Sequence, residues 1–258
     1  MSKNNKNKRI IAIAVLLIFT SILCGVIYIV YISSDPFIEE RRYPDCLTCY
    51  HDMGGYEINP ETILESLNRG ETNVFMPELA TPEAPIYEGS LAWHQSDYLK
   101  IAGALDQFVW KDNLKDWSLY GVDFYADCQN NPNGFTLGDF IFFKSVFYDG
   151  EITYTAREIQ ITPQYRDVAW GGGTAFPRPI LGWDSVNLSN FKFNADDALL
   201  IAEENGGKEA RVSVQNMCRV IVGISGYTGW EVYYDGNNGS PSFLFKIQID
   251  PYTGKAIK

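Results

Sequence analysis

Two histidines among 258 residues leave this chain short of near-neutral bases, and they stand far apart, at His51 and His94. It has no His-Glu-x-x-His pair, no Gly-x-Ser-x-Gly elbow and no phosphate-binding glycine loop, so three common hydrolytic and nucleotide-dependent chemistries lack their residues. Positive charge is also scarce: 21 Lys and Arg face 32 Asp and Glu, for a net charge of −11. Lys3, Lys6, Lys8 and Arg9 precede the first apolar run and no acid does, so seventeen basic residues remain against all 32 acidic ones. A surface of that sign repels phosphate backbones and anionic headgroups, which disfavours nucleic-acid binding and adhesion to a headgroup layer. Its partners are expected to be cationic, neutral or apolar.

What the chain has in plenty is aromatic and apolar residues: 16 Tyr, 15 Phe, 6 Trp and 46% apolar overall. Disordered segments are poor in these, so most of the chain is expected to fold. From Ile10 to Ile32 there is no charge, and these 23 residues are rich in Ile, Val and Leu. At about 1.5 Å per residue such a run reaches roughly 35 Å, enough for a hydrocarbon layer about 30 Å thick. Tyr28 and Tyr31 fall near its outer end, where amphipathic rings favour the interface. Basic residues before it and Asp35, Glu39 and Glu40 after it keep the N-terminus inside. The expectation is a single-pass protein of the cell membrane, partnered with the lipid bilayer, with residues 1–9 cytoplasmic and a transmembrane helix at 10–32. A cleaved signal peptide has a shorter apolar core, and Ser33-Ser34 is the only tempting cleavage site. A lipoprotein reading would use Cys24, but Leu23 occupies the place where a small residue is needed.

Beyond the run, residues 33–90 read as a proline-rich acidic tether with one short helix at 60–68, begun by Asn59 and Pro60 and stopped by Gly70. From Leu91 a helix is expected through Lys111, capped by Ser96, with Tyr98, Ala102, Leu105 and Val109 along one face. Strands are expected at 117–125, 135–148 and 151–162, the last two joined by an Asp149-Gly150 hairpin. Gly171–Gly173 and the nearby prolines then interrupt the pattern and read as a flexible loop. A second helix is expected from the Asn194 cap to Glu204, with Asp197 as its capping-box partner and Gly206-Gly207 as its stop. Strands follow at 211–224, 230–234 and 243–250. The fold class is therefore α+β: a transmembrane helix, then an extracytoplasmic region with helix-plus-antiparallel-sheet units at 91–180 and 187–258. The two stretches share one order of elements and read either as a repeat or as parts of one continuous sheet.

Outside the cytoplasm disulfides persist, and Cys46, Cys49, Cys128 and Cys218 allow three pairings. Cys128 with Cys218 is favoured, since each lies in or beside a strand of a different unit. Cys46-Leu47-Thr48-Cys49 lies in the tether, away from the strand and helix N-terminus that a thioredoxin-type site needs. Tyr50 stands where haem attachment requires His. Zinc could recruit Cys46, Cys49 and His51, with Asp45 or Asp52 as a fourth ligand, and this remains the weak metal candidate. His94 beside Trp93 reads as a surface or packing residue. Asp127 with Asn130, Asn131 and Asn133, and Asp235 with Asn237 and Asn238, read as hairpin turns rather than calcium loops. Phe140, Phe142, Phe143, Phe147 and Tyr148 read as strand residues packed in the core.

One stretch also carries a family likeness. The helix Asn194–Ala202, the strand Trp230-Glu231-Val232-Tyr233-Tyr234 and the ending Ile247-Gln248-Ile249-Asp250-Pro251-Tyr252-Thr253-Gly254-Lys255 resemble a PepSY domain. This small α+β module occurs in propeptides of thermolysin-like peptidases and in many bacterial membrane-anchored proteins. The resemblance implies a non-catalytic extracytoplasmic domain that binds or restrains a peptidase or another envelope protein. The expected function is thus a membrane-anchored binding or regulatory protein, without cofactor, engaging an envelope protein or peptide through a sheet face or edge. Two alternatives stand beside it: a thiol redox or metal-binding protein using Cys46, Cys49 and His51, and a structural envelope component.

Overall fold

A computed structural model of the chain describes residues 52–77, 93–130, 133–148, 151–174, 185–225, 229–236 and 243–257. Its strands are β1 (Asp52–Glu57), β2 (Met76–Pro77), β3 (Ser118–Asp127), β4 (Leu137–Tyr148), β5 (Glu151–Thr162), β6 (Asp167–Thr174), β7 (Cys218–Ser225), β8 (Trp230–Gly236), β9 (Phe245–Ile249) and β10 (Ala256–Ile257). All ten belong to one sheet, in the order β10-β9-β8-β7-β3-β4-β5-β6-β1-β2, and every pairing is antiparallel. Four short helices accompany it: α1 (Ile63–Asn68), α2 (Gln95–Val109), α3 (Ala195–Ala202) and α4 (Lys208–Ser213).

This corrects the expected α+β layout of helix-plus-sheet units behind a transmembrane helix. The stretches at 91–180 and 187–258 do not build separate sheets, because their first strands, β3 and β7, pair directly from Gly121↔Ser225 to Asp127↔Arg219. No helix among the described residues is long and apolar enough to cross a membrane. The run from Ile10 to Ile32 lies outside the described residues.

Alternation decides which sheet face is covered. In β8, Trp230, Val232 and Tyr234 are buried while Glu231, Tyr233 and Asp235 are half-buried, the pattern of a strand packed on one side. In β3, Val122, Phe124 and Ala126 face the core, and in β7 so do Val220, Val222 and Ile224. The helices lie on that face: α2 packs on β5, and α3 packs on β7, β8 and β9. Tyr98, Ile101, Ala102 and Leu105 supply the buried side of α2, and Ala195, Ala198, Leu199 and Ala202 that of α3.

The helix starts are built from side chains. Asn194 accepts from Asp197 N–H at 2.9 Å while Asp197 accepts from Asn194 N–H at 2.9 Å, the expected capping box. The N-cap of α2 is His94 rather than Ser96, again boxed with a residue three places on, Asp97. Serine reads as the stronger cap by frequency, but His94 N–H is 2.9 Å from the Asp97 carboxylate, which fixes the entry two residues earlier. α3 gives way to a wide turn over Glu203–Gly207, in which Asn205 and Gly206 leave helical geometry, as expected of a stop at the glycine pair. Gly206 kinks the chain at φ 120°, and α4 continues to Ser213 where a strand had been expected from Arg211. Arg211 is held there by Glu203 at 2.8 Å and Asn216 at 2.9 Å, so the strand β7 begins only at Cys218.

Other expectations are corrected too. Residues 52–77, read as tether, join the fold, because β1 pairs with β6 along its whole length and α1 packs on α2. Within them the helix begins at Ile63 with Thr62 as its N-cap, not at Pro60 behind Asn59; Asn59 instead accepts from Glu61 N–H at 3.0 Å in the turn before α1. Gly171–Gly173 is not a loop but part of β6: all three pair with β5, and Gly171 and Gly172 pair with β1 as well. Its glycines answer a close approach: a Cβ on Gly172 would lie 3.2 Å from the Trp110 ring.

Candidate functional site: the open face of the sheet

The face opposite the helices carries a row of acidic strand residues. Directly opposed residues of antiparallel strands project to the same side. One row across four strands therefore brings Glu231, Gly223, Asp123, Asp139 and, on a fifth, Gln160 together: Glu231 opposes Gly223, Gly223 opposes Asp123, Asp123 opposes Asp139, and Asp139 opposes Gln160. Gly223 is small for a reason. A Cβ there would come within 2.0 Å of Asp123 Oδ1, so the aspartate lies over the glycine toward Glu231. The adjacent row holds Tyr233, Ile221 and Tyr125, in that order.

Between these rows runs a groove of about 290 Å³, lined by Asp123, Tyr125, Ile221, Gly223, Ile224, Ser225, Glu231, Tyr233 and Phe243. None of the lining residues is basic. Phe243, half exposed, packs on Tyr233 with ring centroids 4.7 Å apart. Cations of the chain stand at the rim instead. Lys246 Nζ lies over the Tyr233 ring at 4.6 Å from its centroid and 3.6 Å from Glu231. Arg219 lies over the Tyr125 ring at 5.3 Å and 3.5 Å from Asp235. Both side chains are about half exposed, 50% and 54%, and pairs so exposed contribute only about 0.2–1 kcal/mol.

The crowding of carboxylates shows in their acidity. Partial loss of solvent and then the charge of Glu231 push the Asp123 carboxyl up from its ordinary value. Asp139 is pushed up to about 6, first by desolvation, then by Glu158 and Asp123, with a hydrogen bond from Gln160 opposing. Asp139 Oδ1 is buried without a hydrogen-bond partner among the described residues. Neither aspartate has an ion-pair partner among the described residues. Chemically this is a wide, acidic, tyrosine-walled groove open to water. It offers carboxylates and ring faces to a ligand.

Of the residues singled out from sequence, the structure joins Cys128 and Cys218 in a disulfide, Cα–Cα 5.3 Å, which links the residue after β3 to the first residue of β7. His94 is the exposed α2 cap, with Nδ1 2.7 Å from Asp196 at the start of α3. Phe140 and Phe142 are buried in the core as expected. Asp127 accepts from Gln129 N–H at 2.9 Å, a turn contact, and no group of three metal-binding side chains occurs among the described residues. Cys46, Cys49 and His51 lie outside the described residues. The acids of the groove were missed because strands were read for their apolar half. Aspartate is depleted in strands, and its place between Val122 and Phe124, and again between Gly138 and Phe140, was the signal available.

No family model, curated protein or solved structure matches the chain.

Proposed function

We propose that the chain is a non-catalytic binding or regulatory protein of the cell envelope, displayed outside the cytoplasm, that engages an envelope protein or peptide with the open face of its sheet. The observation that carries this reading is the groove across β3, β7 and β8, where Tyr125, Tyr233 and Phe243 remain accessible beside Asp123 and Glu231. A strand face with no binding role is usually dressed in well-separated, mixed charges, whereas here apolar rings and like charges share one depression. The Cys128–Cys218 disulfide fits an oxidising compartment. The uncharged run from Ile10 to Ile32 and the charge asymmetry around it favour display at a membrane with the N-terminus inside. The PepSY-like pattern within 187–258 adds weight, since modules of that kind bind or restrain other envelope proteins.

The test is site-specific photocrosslinking of the full chain in native membranes. A crosslinking residue at Ile221, in the groove, is expected to capture a discrete partner. The same residue at Leu200, 60% exposed on α3, is expected to capture none. Equal capture from both positions, or none from the groove, would overturn the reading; the latter is what a purely structural envelope component predicts.

A further inference from the structure

We propose that the groove is built to receive the guanidinium of an arginine side chain on a partner peptide, and that Lys246 and Arg219 occupy its two tyrosine faces until the ligand displaces them. This rests on the binding reading above and names the chemistry of its ligand. Tyr233 and Tyr125 each already carry a cation over the ring, at 4.6 Å and 5.3 Å from the centroid, so both faces are oriented to accept one. The cations that sit there are rim residues, about half exposed, whose carboxylate contacts at 3.5 and 3.6 Å are long for charged hydrogen bonds. They are placed to leave without disturbing the sheet.

What they leave unmet is the interior of the groove. Asp123 faces it with no ion-pair partner among the described residues, and among them Glu231 pairs with Lys246 alone. A guanidinium between Asp123 and Glu231 would set a positive charge beside a carboxyl that desolvation, and after it Glu231, raises. Arginine suits the site better than lysine. Its planar head is more weakly hydrated, stacks on tyrosine and donates two parallel hydrogen bonds to a carboxylate, whereas ammonium is a hydrated point charge. The acidic excess of the chain, 32 acids against 21 bases, draws such a ligand in and repels acidic competitors.

The experiment measures fluorescence polarisation of two labelled peptides against the full chain in nanodiscs of neutral phosphatidylcholine. One peptide is tri-arginine amide and the other its citrulline counterpart, which keeps the shape and loses the charge. The arginine peptide is expected to bind about tenfold more tightly, and D123N and E231Q are each expected to weaken it about fivefold. K246M is expected to tighten it about threefold, because the internal competitor is gone. A purely long-range attraction predicts a small gain from K246M too, but equal loss from any surface acid. The distant variant E209Q therefore serves as control and is expected to change nothing beyond error. Equal binding of the two peptides, unchanged or weaker binding by K246M, or equal effects of E209Q and E231Q would overturn the inference. If the arginine peptide fails while Ile221 still crosslinks a partner, the cation assignment falls and the binding reading stands; if both fail, both fall.

Discussion

Asp123 on β3 and Asp139 on β4 stand directly opposite each other on the open face of the sheet, two acids where a strand pair ordinarily places one charge or none. Like charges so placed destabilise a sheet. Partial burial and the charge of Glu158 add to the Asp123 repulsion in raising the Asp139 carboxyl, and that rise fixes a prediction. Asp139 binds its proton with a folded value of about 6, against roughly 3.9 in an unfolded chain. A raised folded value means that the folded state holds the proton more tightly. The associated stability is fully present below about pH 4 and is lost as pH rises through about 6. Compared with D139N, the native chain is expected to lose on the order of 1–3 kcal/mol between pH 4 and pH 7. Thermal midpoints of the two proteins across that range make the comparison. Parallel curves would show that burial and its acidic neighbours do not hold the Asp139 carboxyl above its ordinary value.

The disulfide gives a second prediction. Cys128 and Cys218 are 90 residues apart in sequence and tie the two halves of the sheet together beside the β3–β7 seam. In the chain-entropy account a loop of that size is worth about 4 kcal/mol. Replacing both cysteines with alanine, or reducing them, is expected to lower the free energy of unfolding by about that amount. Denaturant titrations with and without reductant would show it. A native chain indifferent to reductant, alongside an equally stable double variant, would mean the bridge contributes nothing.

The same seam shows how far sequence carried the fold. The strands at 118–127, 137–148, 151–162 and 230–236 were visible as runs of alternating, β-branched and aromatic residues bounded by turns. The α3 start was visible because Asn194 and Asp197 form a box wholly from local residues. The turn after β9 is likewise built from local residues: Asp250 accepts from Tyr252 N–H at 2.7 Å and Gly254 adopts φ 68°. What stayed hidden depended on partners distant in sequence. Nothing near Asp52–Glu57 says that it will pair with Asp167–Thr174, more than a hundred residues on. Nothing near Gly171–Gly173 says that Trp110 will press against the strand and make glycine a packing choice. The groove was hidden for the same reason. Its row of acids exists only once Glu231, Gly223, Asp123 and Asp139 are placed in register, and each taken alone reads as an ordinary exposed strand residue.

A third prediction concerns the covered face. Arg157 of β5 points into the core, its guanidinium 4.4 Å from the Trp110 ring centroid and 3.8 Å from that of Trp117. It hydrogen-bonds Asp106, which is fully buried on α2, and reaches Asp112 at 3.3 Å. Burial raises the Asp106 carboxyl and the arginine opposes that rise. Removing only the cation, as in R157M, strands a buried carboxylate and is expected to cost about 3–5 kcal/mol. The double variant D106L/R157M replaces both charges with apolar volume and is expected to cost less than R157M alone. Chemical denaturation of the three proteins decides it. A double variant worse than the single one would mean that the ion pair, not the stranded charge, is what stabilises the site.

The last prediction follows from how the two principal helices begin. Their N-termini meet, and each is completed by the other. Gln95 Oε1 on α2 accepts from Ala195 N–H at 2.8 Å, while Asp196 on α3 accepts from Gln95 N–H at 3.1 Å and lies 2.7 Å from His94 Nδ1. Each helix start exposes N–H groups with no acceptor within its own helix, and an acidic side chain there also meets the favourable end of the helix dipole. Q95A and D196A are therefore each expected to cost about 1 kcal/mol, as lost caps do. The two contacts share Gln95, so removing either residue loosens the geometry that the other needs. The double variant is expected to cost clearly less than the sum, with a coupling of at least about 0.5 kcal/mol. Strict additivity in a double-mutant cycle would mean that the helices are capped independently, and that their meeting at one point of the sheet lends neither any support.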